Sequence, residues 1–234
     1  AGVAGGLWYG AGGLLKGDVS FDAVSALKRS LPFTRPSPPP LKGRAQVLTG
    51  DIIRIGGETI ALDGVDAPEL TQRCRRARRR WRCGIAARRA LQALTARKTL
   101  TCNVVGRDGF ARKSARCFVG PVELNTRLIA RGHVFASQNA PSRYRGVERD
   151  AKAGKRGIWA GTAVRPAAFR DRLWKRAEKR APGGCPIKGD VTAKGKVYVL
   201  PWDRRYRRVR VRKARGERWF CSEAEARSAG WRRL

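Results

Sequence analysis

Methionine is absent from this 234-residue chain, histidine occurs once, and acidic residues number 18 against 52 lysines and arginines. Each scarcity excludes something. The missing initiator implies a processed chain or a fragment. With His133 the sole histidine and no C-x-x-C spacing among the six cysteines, a structural zinc site lacks ligands. The uncharged, glycine-rich start, AGVAGGLWYGAGGLL at residues 1–15, falls short of the ~20 residues a spanning helix needs. It also lacks the charged beginning of a signal peptide. It reads as the remnant of a membrane anchor, as a segment packed on a partner, or as a flexible terminus.

What is present is positive charge. The net charge of +34 attracts polyanions: nucleic acid, anionic lipid or an acidic partner. The excess is mostly arginine, whose planar fork suits phosphate. An apolar content of 42% still allows a folded core. The cysteines fall into local pairs. Cys74 and Cys83 bracket an arginine-rich run, Cys102 and Cys117 lie equidistant from Gly109-Phe110, and Cys185 and Cys221 bracket the C-terminal part. An even count in local pairs favours disulfides and an oxidising compartment, buried free thiols being the alternative. This suggests a bacterial extracytoplasmic (periplasmic) protein, membrane-tethered if residues 1–30 form an anchor.

Residues 1–30 form an apolar to amphipathic segment, with Val19, Phe21, Val24 and Leu27 at helical spacing. Residues 31–43 (LPFTRPSPPPLKG) are proline-rich and read as a semi-rigid linker. A main domain follows over 44–161. Its strands are expected near 45–48, 52–56, 59–63, 99–105 and 112–119, and its helices near 84–96, 122–131 and 144–154. That order fits a mainly β, five-stranded OB-type Greek-key barrel with packed helices. Residues 162–181 make a basic helical connector with Phe169, Leu173 and Trp174 on one side. Residues 182–234 make a small disulfide-held α+β module, about 50 residues being marginal for stability without a bridge. Its strands are expected at Val197–Leu200 and Val209–Arg212, and its helix behind Ser222, with Glu225 completing a capping box.

The stretch that organises the main domain is Leu48–Glu69. Two strand-like runs flank Gly56-Gly57, a two-residue hairpin signal. Folding that hairpin brings Asp51 towards Asp66, with Glu69 beside them. Converging carboxylates offer a hard-cation site and a general base, although acids bounding strands are also ordinary turn residues. Between Cys74 and Cys83 runs RRARRRWR. Arg75, Arg76, Arg78, Arg79, Arg80 and Arg82 read as a phosphate clamp with Trp81 as stacking platform, or as a solvated loop in a chain where arginine is abundant.

The wording of these segments is similar to the staphylococcal nuclease-like (thermonuclease) family over about residues 44–161. Gly50-Asp51 and Val65-Asp66-Ala67-Pro68-Glu69 carry the likeness. It extends through Cys83-Gly84-Ile85-Ala86-Ala87-Arg88, Gly106–Arg112, Glu123-Leu124-Asn125 and Gly157-Ile158-Trp159, in order. The C-terminal part resembles a small cysteine-containing module that follows such domains in bacterial proteins. The resemblance implies the OB-type fold directly. It also implies calcium-dependent phosphodiester cleavage, with Asp51 and Asp66 at the metal, Glu69 helping to activate water, and Arg112 stabilising charge on the phosphate.

Several positions depart from the pattern. Ala61 stands where the family has its strand arginine. Thr49 replaces an acid, Ile52 a hydroxyl residue and Phe110 a tyrosine. One lost transition-state donor costs ~2.7–4 kcal/mol, and an arginine from residues 75–82 is a candidate substitute. Two functions follow. One is a metal-dependent phosphodiester hydrolase, its catalysis weakened or lost, that binds single-stranded nucleic acid or another polyanion. The other is a pseudo-nuclease serving as a structural or accessory subunit of a larger, membrane or protein, complex through residues 1–30.

Overall fold

In the computed structural model, residues 38–193 and 195–234 are described. The anchor and most of the linker expected from sequence lie outside them. Where the linker was expected to continue, Leu41–Gly43 is instead a strand, β1. It is followed by β2 (Gln46–Val47), β3 (Ile52–Ile55), β4 (Glu58–Leu62) and β5 (Val65–Asp66). Gly56 and Gly57 join β3 to β4 with φ of 55° and 86°, the doubly positive pair a tight hairpin requires. The cysteine-bracketed arginine run is a hairpin, not a loop: β6 (Cys74–Arg76) pairs antiparallel with β7 (Arg79–Trp81).

Helix α1 (Cys83–Thr95) presents Cys83, Gly84, Ala87, Leu91 and Thr95 to the interior, the i, i+4 spacing of one face. Then come β8 (Leu100–Arg107), β9 (Lys113–Val119), β10 (Val122–Glu123), α2 (Leu124–Ala130), β11 (Phe135–Ala136) and α3 (Ser142–Ala153). The main sheet runs β1-β8-β9-β4-β3-β2, with β10 also on β9. All neighbours are antiparallel except β4 with β9. This single parallel crossover is what a Greek-key OB arrangement needs. The sheet's ends approach each other: a Cβ on Gly43 of β1 would lie 2.7 Å from Ile55 of β3. Ile53, Ile60, Leu91, Leu100, Leu124, Leu128, Ile129 and Tyr144 fill the core. Each such buried aliphatic side chain contributes about 1.5–3 kcal/mol.

Cys102 faces Cys117 across the β8–β9 ladder and is bonded to it. The ladder slips by one residue between Val104 and Gly106. That bulge offsets the odd-numbered turn and keeps the cysteines opposite one another. Cys74–Cys83 and Cys185–Cys221 are also disulfides. No helix among the described residues is long and apolar enough to cross a membrane.

Beyond a short 3-10 turn at Gly157–Ala160 lies α4 (Pro166–Glu178). It is followed by β12 (Ile187–Thr192), β13 (Gly195–Val199), β14 (Trp219–Phe220), α5 (Glu223–Ser228) and β15 (Arg232–Arg233). These four strands form a second sheet, ordered β14-β12-β13-β15. Ser222 caps α5 by accepting from the Glu225 amide at 3.0 Å, while Glu225 reaches back to the Cys221 amide at 2.7 Å. Phe169 of α4 shares one apolar cluster with Ile187, Tyr198, Leu200, Trp202, Phe220 and Trp231. The expected connector is therefore part of the module's core. Residues 38–234 form one compact unit.

The expected strand Val209–Arg212 is absent. Its backbone finds side-chain partners instead: Lys188 Nζ donates to the Val209 carbonyl at 2.8 Å, and the Arg212 amide donates to Glu217 at 2.8 Å.

Candidate functional site

Asp51 sits in the turn before β3. Its Oδ1 accepts from the Thr49 hydroxyl at 2.6 Å and its Oδ2 from the Ala67 amide at 3.0 Å. Thr49 also receives the Ile52 amide at 3.0 Å. It is thus a turn residue that holds Asp51, where the family resemblance expects another acid. The Ala67 bond brings the Asp51 turn against the Asp66–Glu69 segment, as expected from sequence.

Asp66 is placed from both sides. Its strand β5 pairs with β11, Asp66 opposite Phe135, and Phe135 packs edge-on against Trp159 at 5.1 Å. Behind Trp159, the Ile158 amide donates to the Gly132 carbonyl at 2.8 Å. Asn125, fully buried, donates to the carbonyls of Asp63 and Ala115 and accepts from the Cys117 amide. It ties α2 to β9 and to the turn from which β5 begins. Two of the motifs, Glu123-Leu124-Asn125 and Gly157-Ile158-Trp159, therefore hold the site's backbone.

Glu69 opens a turn closed by the Gln72 amide, which donates to the Glu69 carbonyl at 2.7 Å. Gly84 at the start of α1 passes so close to this turn that a Cβ there would collide with the Glu69 carbonyl.

Arg112 comes from the β8–β9 hairpin. Asp108 accepts from the amides of Phe110 and Arg112 and from the Arg112 guanidinium, Nε at 2.7 Å. The guanidinium also stands 4.8 Å over the Phe110 ring.

Asp51, Asp66, Glu69 and Arg112 line one pocket of about 480 Å³ with Ala61 and Asp63. The methyl of Ala61 faces the space where the resemblance expects a guanidinium. No residue of 75–82 lines this pocket, so the substitute arginine anticipated there is not supplied. Two other arginines reach in from beyond the nuclease-like part, unforeseen in the sequence. Arg170 of α4 donates through Nη1 to Asp66 Oδ1 and Glu69 Oε1, both at 2.9 Å, and through Nη2 to Asp66 Oδ2 at 3.3 Å. Arg233 of β15 bonds Asp203 at 3.3 Å and stands 5.6 Å from the Phe110 ring. A lone arginine in so basic a chain carries no sequence signal for either role.

Burial pushes the Asp51 carboxyl above the usual range, against the pull of Ala67 and Thr49. Burial, with the charge of Asp51, pushes Glu69 up to about 7 despite Arg170. Burial opposes the charge of Arg170, but Asp66 and Glu69 outweigh it and hold the guanidinium firmly protonated.

The resemblance assigns Asp51 and Asp66 to calcium, but the arrangement here does not fit that ion. Calcium takes six to eight oxygens at about 2.3–2.6 Å. Both oxygens of Asp66 and one of Glu69 bind Arg170, and both oxygens of Asp51 hold protein donors.

A second, basic groove of about 630 Å³ adjoins α4. Arg73, Arg80 and Arg82 line it with Arg172 and Arg176 of α4 and with Arg204 and Arg207. Among the described residues none of these seven forms an ion pair. Arg75, Arg76, Arg78 and Arg79 are exposed on the adjoining hairpin. Trp81 is half-buried against the Cys74–Cys83 cluster, so much of its ring is committed to packing.

A family model described as staphylococcal nuclease homologue matches residues 59–161. The succinoglycan biosynthesis protein ExoI of Rhizobium meliloti (strain 1021) is 35% identical over 135 residues, covering 56% of this chain and 71% of that protein. The probable staphylococcal-like nuclease CAN4 of Oryza sativa subsp. japonica is 30% identical over 103 residues, 43% of this chain and 19% of that protein.

Proposed function

The chain belongs to the staphylococcal nuclease family, and on that premise we propose that it binds single-stranded nucleic acid while its phosphodiester hydrolysis is weakened or lost. One observation carries this reading: positive charge is divided between two places. In the pocket, Arg112, Arg170 and Arg233 are engaged by the chain's own carboxylates, and Arg107 by the Ala111 carbonyl. In the groove beside it, seven arginines have no carboxylate partner among the described residues. Unpaired guanidinia along a concave surface suit a polyphosphate backbone, whose bound counter-ions they release.

Weakened catalysis follows from the same pocket. Ala61 offers no donor to a developing phosphorane, at a cost on the order of 10²–10³ in rate. Glu69, the expected base, spends Oε1 on Arg170. Calcium-dependent cleavage, if it survives, requires Arg170 to leave both carboxylates. The three disulfides favour an extracellular or periplasmic setting.

A second reading, an accessory subunit of a larger assembly, is favoured by one fact. The relative covered over 71% of its length is named for succinoglycan biosynthesis and not for nucleolysis. Fluorescence anisotropy with labelled single-stranded DNA and RNA separates the two. Salt-dependent binding that drops when Arg172 and Arg176 become Ala supports the first. No binding to either oligonucleotide at low salt supports the second.

A further inference from the structure

The pocket's carboxylates already hold a cation, and that cation belongs to the chain. Arg170 grips Asp66 with both arms of its fork and reaches Glu69 with one. The side chains of Arg170, Asp66 and Glu69 are 25%, 19% and 17% exposed, so none is a freely solvated surface group.

The helix that carries Arg170 is held from three directions. Pro166 stands at its first turn, where a fixed φ is favourable. Phe169 is buried in the C-terminal core. Gln72, almost fully buried, donates to the Val164 carbonyl at 2.6 Å while receiving the Glu69 amide at 3.2 Å. The turn bearing Glu69 and the entry to α4 are therefore joined through one side chain.

We infer that Arg170 is the resident cation of this pocket, standing where a divalent metal ion would otherwise be held and keeping Asp66 and Glu69 from binding one. Removing it leaves Asp51, Asp66 and Glu69 with only Arg112 and Arg233 as nearby positive charge, each already bonded to another carboxylate. Partly buried carboxylates so placed demand a replacement cation, and a hard divalent ion satisfies them best. The same sequence thus contains a latent calcium site, closed by a residue 104 positions from Asp66 in the chain. This deepens the reading of the pocket as the family's site altered for another use, and it rests on that reading.

The test is thermal unfolding of the disulfide-intact full chain in calcium chloride against chelator, at pH 8, for the wild type, Arg170→Ala, and Arg170→Ala with Asp66→Asn. The wild-type Tm is expected to be indifferent to calcium. Arg170→Ala is expected to gain a Tm increase that grows with calcium, the signature of an ion bound by the native state, and the added Asp66→Asn to abolish it. Should Arg170→Ala fail to fold, Arg170→Gln carries the comparison, since it keeps a donor but no charge. A wild-type Tm that rises with calcium as much as that of the variant overturns the inference, and so does a folded variant indifferent to calcium. Neither readout involves nucleic acid, so its failure is separable from failure of the proposed binding function.

Discussion

Arg170 and Asp66 are 104 residues apart in the chain, yet guanidinium meets carboxylate two-pronged, at 2.9 and 3.3 Å. One partner lies in the nuclease-like part and the other in the helix that leaves it. The pair sets one fixed positive charge against two acids of the pocket. It also makes the C-terminal module a structural component of the pocket, together with Arg233.

Restoring catalysis should accordingly need two changes. Ala61→Arg supplies the missing donor on β4 and Arg170→Ala frees the carboxylates. The double variant is expected to raise calcium-dependent cleavage of single-stranded DNA on the order of 10²-fold over wild type. Ala61→Arg alone should gain much less. Initial rates on a labelled oligonucleotide check this, and equal gains from the single and double variants would contradict it.

Much of this site was legible in the sequence because its signals are local. The Gly56-Gly57 turn, the Ser222 cap and the Asp51–Asp66–Glu69 convergence depend on residues close in sequence or joined by one hairpin. Arg170 was not legible, because nothing distinguishes it from the other basic residues until α4 is docked. The strand expected at Val209–Arg212 failed for a related reason. Its alternating valines fit a strand, but Lys188 and Glu217 satisfy its backbone through side chains, which no periodicity reports. Leu41–Gly43 was hidden by the prolines before it, although the chain enters the sheet directly after Pro40.

The stability contributed by Glu69 should fall as pH rises from about 4.5 to about 7. Glu69 has an unperturbed value of 4.5 and is pushed up to about 7 in the folded protein. Between those values the native state keeps a proton that the unfolded chain has released, so this group's contribution is full below 4.5 and lost above about 7. Asp51, also raised, acts in the same direction. Glu69→Gln is expected to flatten the decline of Tm between pH 5 and 8, as read by circular dichroism. An unchanged slope would contradict the assignment.

Nucleic-acid affinity should depend on the groove and on salt. For a single strand, log K falls with log salt by about 0.7 per phosphate contact. Replacing Arg172 and Arg176 by Ala is expected to shallow that slope by about 1.4 if each meets one phosphate. Anisotropy titrations at several salt concentrations measure it. A slope that stays the same would place binding elsewhere.

Gly84→Ala should be disproportionately destabilising for one added methyl. That methyl meets the Glu69 carbonyl at the head of α1, and overpacking of this kind typically costs about 1–3 kcal/mol. Denaturant unfolding checks it, beside Gly106→Ala, whose added methyl meets no atom within 4 Å.

The central claim is that binding and cleavage have been separated, one assigned to the groove and the other suppressed in the pocket. It is tested most directly by following a single-stranded oligonucleotide, bound to saturation, for cleavage products in calcium and in chelator. The account predicts little or no cleavage in both conditions, with equal occupancy. Efficient cutting in calcium that Glu69→Gln abolishes would contradict it.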